Sequence, residues 1–159
     1  LSRERAYIRQ GILTQWEKEW KESRDGGHLR KIDNTLPAKY TRRLYGALPR
    51  NRAYLLTQIR SGHCWLSTYG KLFGFRDDDR CLCGGRESII HVLLDCPLLR
   101  DLRRELRAKV GDALNSMSVL LGGSCQEGGS RVSNASRTKT VEAVLDFAEA
   151  SQRFRSRVP

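Results

Sequence analysis

Apolar residues return at three- and four-residue steps along most of this chain, the period of helices with one buried face. Ala6, Tyr7, Ile8, Ile12, Leu13, Trp16 and Trp20 predict a helix over residues 1–24, ended by Asp25-Gly26-Gly27. Residues 28–36 then read as a connector closed by Pro37, with His28 a solvated loop side chain. Tyr40, Leu44, Tyr45 and Leu48 predict a second helix over 38–48, stopped by Pro49. Ala53, Tyr54, Leu55, Leu56 and Ile59 mark the inward side of a third over 50–59, which Gly62 ends. A short helix over 67–75 would turn Tyr69, Leu72 and Phe73 inward. Leu98, Leu99, Leu102, Leu106 and Val110 lie opposite Arg100, Arg103, Arg104, Arg107 and Lys109, the two-sided pattern of an amphipathic helix over 98–110. A short apolar piece follows over 115–121, and a last helix is expected over 138–154 through Val141, Val144, Leu145, Ala148 and Phe154.

Between the third helix and the amphipathic one, the periodic pattern gives way to Cys81-Leu-Cys-Gly-Gly and then His91-x4-Cys96. Three thiols and one imidazole within so short a span suit a closed tetrahedral zinc site, so Cys81, Cys83, His91 and Cys96 are the candidate ligands of a Zn2+ ion. Gly84 and Gly85 would let the backbone turn both sulfurs of the first pair toward one point. The second pair falls on an expected helix from Glu87 to Asp95, halted by Pro97. At 3.6 residues per turn His91 and Cys96 stand about a turn and a half apart, so Cys96 would have to occupy the frayed end to face the same ion. Buried unligated thiols or a redox pair are the plainer alternatives.

The fold class expected is therefore mostly α: a small helical domain with an embedded CCHC zinc-finger turn and helix, flanked by amphipathic helices. Its parts would be a Trp-containing helical arm and connector (1–36), a basic helical region holding the finger at 81–96 (37–121), a flexible Gly/Ser-rich loop (122–136) and a C-terminal helix (137–159). Apolar residues at 39% allow a core, but 30% charged residues keep it modest, and bound zinc would add to folding free energy. Three of the five cysteines enter the proposed site, leaving Cys64 and Cys125, which speaks for a reducing, intracellular compartment. No apolar run approaches a membrane span. The chain opens at Leu1 in mid-pattern, as a piece of a longer protein would.

Charge narrows the choice of partner. Lys and Arg exceed Asp and Glu by 29 to 18, a net +11, which predicts attraction to polyanions. Residues 30–60 hold eight cations against the single acid Asp33. Lys39, Arg42, Arg43, Arg50, Arg52 and Arg60, interleaved with Tyr40, Tyr45 and Tyr54, are the candidate nucleic-acid contacts; such cations hold phosphates without choosing a sequence. Trp16 and Trp20, one helical turn apart, are read as a packing or docking stripe in preference to a base-stacking platform. His63 and Cys64 are neighbours that cannot easily address one atom, and Asp77-Asp78-Asp79 is one exposed run; neither is expected to be catalytic.

Leu44-Tyr45, Leu55-Leu-Thr-Gln-Ile-Arg-Ser-Gly-His63, Cys81-x-Cys83, His91-x4-Cys96-Pro97 and the Arg/Leu helix beyond occur in that order. This arrangement resembles the C-terminal region of non-LTR (LINE-type) retrotransposon polyproteins, downstream of their reverse transcriptase and RNase H domains. The resemblance is specific over 44–106. It implies zinc ligation by Cys81, Cys83, His91 and Cys96, structural support from Gln58 to His63, and contact with template RNA or target DNA in a nuclear particle. It also implies that polymerase and nuclease residues belong to other domains of the parent RNA-directed DNA polymerase, so that this segment is no enzyme by itself. Two other readings stand beside it: a module docking on the polymerase or RNase H domains, or a standalone descendant reused in a host or pathogen role.

Overall fold

A computed structural model describes residues 2–34, 38–123 and 133–155. Pro37, Cys125 and Arg157, and with them most of the expected loop, lie outside the described residues. The chain is mostly helical, as expected, and among the described residues no strand forms beyond an isolated antiparallel bridge between Arg80 and Arg86.

The helices are α1 (Ser2–Glu22), α2 (Gly27–Arg30), α3 (Thr41–Gly46), α4 (Arg50–Ser61), α5 (Ser67–Leu72), α6 (Arg100–Val110), α7 (Met117–Leu120) and α8 (Asn134–Ser151). The core is organised around α8, which buries Val141, Ala143, Val144, Leu145, Phe147, Ala148 and Ser151 and packs against α3, α4, α6 and α7. Val141 and Leu145 meet Leu44, Leu48 and Leu56 in one apolar cluster. Val144, Phe147 and Ala148 share the other with Leu106, Leu120, Val92, Leu93, Cys81 and Cys96, so the candidate metal ligands are continuous with the main core.

α1 is a long helix that buries none of its residues. It is held at its C-terminal end alone among the contacts described. Trp20 Nε1 donates to the Asp33 carbonyl at 3.0 Å, and Arg30 lies over the indole at 5.3 Å while donating to the carbonyls of Trp20, Ser23 and Asp25. Arg30 thereby satisfies one carbonyl of the last turn of α1, that of Trp20, and two of the segment that follows it.

Several side chains expected inside are exposed. Tyr54 lies on the outer side of α4, and Leu72 and Phe73 at the end of α5 face solvent, as does Leu98. α5 is too short to present a second turn to the core, and its aromatic residues associate instead: Tyr69 with Phe73 at 4.5 Å, and Trp65 with Tyr69 and Phe75 at 6.3 and 6.2 Å. His28 departs from expectation in the other direction. It is half-buried, its Nε2 donates to the Ile59 carbonyl at 3.0 Å, and burial lowers its pKa. The start of the expected Gly/Ser loop is likewise built into the core, with Gly122 and Gly123 buried.

Candidate metal centre

Residues 79–87 form a tight hairpin. Glu87 N–H donates to the Asp79 carbonyl at 2.8 Å, Cys81 N–H to Gly85 at 2.7 Å, and Gly84 N–H back to Cys81 at 2.8 Å. Gly84 takes a positive φ of 88°, and Gly85 lies so close to His91 that a Cβ there would stand 2.9 Å from the ring. The sequence suggests one joint role for the two glycines, and the structure separates them: Gly84 turns the chain, and Gly85 admits the imidazole. Arg80 straps the turn by donating to the Gly84 carbonyl at 2.9 Å.

Of the second pair, His91 lies on a helix that starts at Ile89 and is capped by Ser88, whose Oγ accepts from His91 N–H at 3.2 Å, and Cys96 is the residue that caps its other end. From His91 to Asp95 the winding widens to a π-helix, and Cys96 N–H donates to the His91 carbonyl, five residues back, at 2.7 Å. An α-helix would leave these two side chains on different faces; the wider turn brings Cys96 round to His91. Arg103 of α6 closes this segment, donating to the carbonyls of Leu93 and Cys96 at 3.0 and 2.8 Å.

The four ligand atoms converge, all lying within 4.8 Å of one another. Cys81 Sγ is 3.7 Å from Cys96 Sγ, and Cys83 Sγ is 3.3 Å from His91 Nε2. A tetrahedral ion held by three sulfurs and a nitrogen at ordinary bond lengths has S···S edges of about 3.8 Å and S···N edges of about 3.6 Å. The two separations here are close to those, so the group is compatible with a metal. No disulfide joins the described cysteines. Cys81 and Cys96 are buried, whereas Cys83 and His91 are partly open to solvent. Burial pushes the Cys81 thiol up to about 11, while the Gly85 N–H beside Cys83 draws that thiol below its usual value. A bound cation would deprotonate both.

Two buried charges adjoin the set that sequence reasoning missed. Arg153, just past α8, donates to Cys81 Sγ at 3.1 Å and pairs with Glu87 at 3.4 Å. Glu87 in turn accepts from the Ser67 amide at 2.8 Å and from its hydroxyl, to which Arg76 also donates. In the sequence Arg153 belongs to a basic chain end and Glu87 to a helix start, with no local signal that either is buried.

The six candidate phosphate contacts separate. Lys39, Arg42, Arg43 and Arg50 are exposed, and no ion pair among the described residues engages them. Arg52 is committed to α8, donating to Asp146 at 2.8 Å and to Glu149 at 2.6 Å. Arg60 is not a surface residue: 3% exposed, it pairs with Asp33 and donates to the Leu121 carbonyl. The acid-poor stretch around it conceals the fact that its single acid, Asp33, is its partner. Cys64 is buried and its thiol pushed up to about 12, an unreactive state for a nucleophile, while neighbouring His63 is exposed. Trp16 remains 48% exposed, and Tyr7, Ile8 and Ile12 on the same helix are more so.

Among the described residues no helix is long and apolar enough to cross a membrane. Comparison with protein-family models, with curated proteins and with solved structures finds no match to this chain.

Proposed function

We propose that this chain is a zinc-stabilised nucleic-acid-binding module that is not itself an enzyme, of the kind found at the C-terminus of LINE-type reverse transcriptase polyproteins. The observation that carries the reading is the row of cations Lys39, Arg42, Arg43 and Arg50, exposed and free of ion pairs among the described residues, on a chain of net charge +11. A cation without an acidic partner keeps its charge for a phosphate, and each phosphate it neutralises releases a counterion. The convergent Cys3His set supports zinc as the ion, since three thiols and an imidazole select it over hard, oxygen-seeking cations. Zinc then serves the fold, pinning the hairpin and the helix after it to the core that also holds Ile59 of α4. The resemblance over 44–106 points to template RNA or target DNA as the polyanion, and to a nuclear setting.

The test is the salt dependence of binding to short single-stranded RNA and DNA. Replacing Lys39, Arg42, Arg43 and Arg50 together by Ala is expected to weaken binding to all sequences alike and to flatten the log–log salt slope by about three. Unchanged affinity and slope would overturn the proposal.

One observation favours a second reading, a module docking on other domains of a parent polyprotein. Tyr7, Ile8, Ile12 and Trp16 leave an apolar stripe exposed on α1, suited to a protein surface. If that reading is right, Ile12→Asp with Trp16→Ala abolishes association with those domains and leaves nucleic-acid affinity unchanged.

A further inference from the structure

We infer that Arg153 is a positioning residue for the metal centre: its guanidinium, donating to the Cys81 sulfur, offsets the negative charge of a loaded Cys3His site and couples metal loading to the docking of Arg153 and Phe154 after α8. The inference rests on the metal reading of the four ligands and not on nucleic-acid binding. A divalent ion with three thiolates and a neutral imidazole carries one net negative charge. That charge would sit in a largely buried place beside the carboxylate of Glu87, which is 5% exposed. Like charges so placed are costly unless a cation lies between them. Arg153, 8% exposed, is that cation, reaching Cys81 Sγ at 3.1 Å and Glu87 at 3.4 Å. Glu87 passes the alternation on through Ser67 to Arg76 of the segment after α5.

The backbone is shaped to deliver this side chain. Gln152 ends α8 with φ of 55°, the one positive φ outside glycine among the described residues. That turn sends Arg153 and Phe154 back into the protein, where Phe154 joins the same apolar cluster as Cys81 and Cys96. Hydrogen bonds from outside the ligand shell orient ligands and tune the metal, and their removal weakens metal binding by about ten- to hundredfold.

Arg153→Met, Arg153→Lys and Glu87→Gln in the full chain test this, with zinc affinity read by competition against a chromogenic chelator and the ligand field by cobalt(II) absorption. Arg153→Met is expected to bind zinc about ten- to hundredfold more weakly and to move the thiolate-to-cobalt charge-transfer band to lower energy. Arg153→Lys restores part of both. Glu87→Gln moves the other way, binding zinc at least as tightly as the unaltered chain, because the guanidinium stays on the sulfur and the competing charge is gone. Zinc affinity of Arg153→Met within twofold of the unaltered chain, with an unchanged cobalt spectrum, would overturn the inference. So would a tenfold loss in Glu87→Gln, which also decides the matter if Arg153→Met does not fold. An unaltered chain that binds neither metal would overturn this inference and the metal reading together.

Discussion

The amide of Cys96 donates to the carbonyl of His91 at 2.7 Å across a π-turn, and this one hydrogen bond reconciles a five-residue ligand spacing with a single metal. Because the turn follows directly from the hairpin that carries Cys81 and Cys83, the ion would hold two otherwise separate pieces of chain. Removing a ligand by Cys96→Ser or His91→Ala should therefore abolish stoichiometric zinc. Structural zinc supplies an apparent ~10 kcal/mol or more in small domains, comparable to the whole stability of a typical one. Chelation of the unaltered protein is expected to lower both helical circular dichroism and melting temperature. Elemental analysis and spectra before and after chelation check this, and a spectrum indifferent to chelation would count against a structural metal.

Arg60 and Asp33 form a buried ion pair that joins the segment after α2 to α4, with a further bond from Arg60 to Leu121. Removing Arg60 takes the buried guanidinium away from Asp33, which keeps the hydroxyl of Tyr40 but loses its paired cation, at a cost of about 3–5 kcal/mol. Arg60→Met should show that loss in urea denaturation. Arg42→Ala, on the exposed side of α3, should stay within about 0.5 kcal/mol of the unaltered protein. Equal effects at the two positions would contradict the burial of Arg60.

Gly123 has no room for a side chain. A Cβ there would stand 2.2 Å from the Ile32 carbonyl oxygen and 2.5 Å from Ser118 Oγ. Gly123→Ala is expected to destabilise by at least the ~1–3 kcal/mol typical of overpacking. Gly46→Ala, with nothing within 4 Å, should be neutral or slightly stabilising in the same denaturation series.

The burial of His28 sets the sign of a pH dependence. Burial lowers its folded-state pKa, so the unfolded chain binds the proton more readily. The stability His28 provides is complete above its unfolded pKa of about 6.5 and is lost as pH falls from there through the folded value. Zinc ligands also protonate on acidification, so the comparison is between the unaltered protein and His28→Gln at saturating zinc. The stability advantage of the unaltered protein over the His28→Gln variant should shrink as the solution is acidified through the histidine range and be constant on the alkaline side of it. An advantage that grows on acidification would contradict the assignment.

Helical periodicity and chain punctuation were enough to place α1, α4, α6 and α8, because each repeats its apolar positions over several turns or is bounded by Pro or Gly. Ligand chemistry was legible for the same reason: Cys81, Cys83, His91 and Cys96 are close in sequence, and two glycines beside them have little other use. Periodicity did not tell which apolar positions would be covered, on the 12-residue α4 as at the end of the 6-residue α5. Tyr54, Leu72 and Phe73 share the spacing of core residues, but spacing does not say whether another element arrives to cover them.

By itself, then, the sequence determined a mostly helical chain, a Cys3His group and a strongly basic surface, since each of these is local in sequence or a sum over it. Only the tertiary structure decided which charges remain free. Arg60 is taken by Asp33, Arg52 by Asp146 and Glu149, and Arg153 by Glu87 and Cys81. Burial and pairing depend on segments up to 97 residues apart, and no local pattern records which distant side chain will be brought alongside.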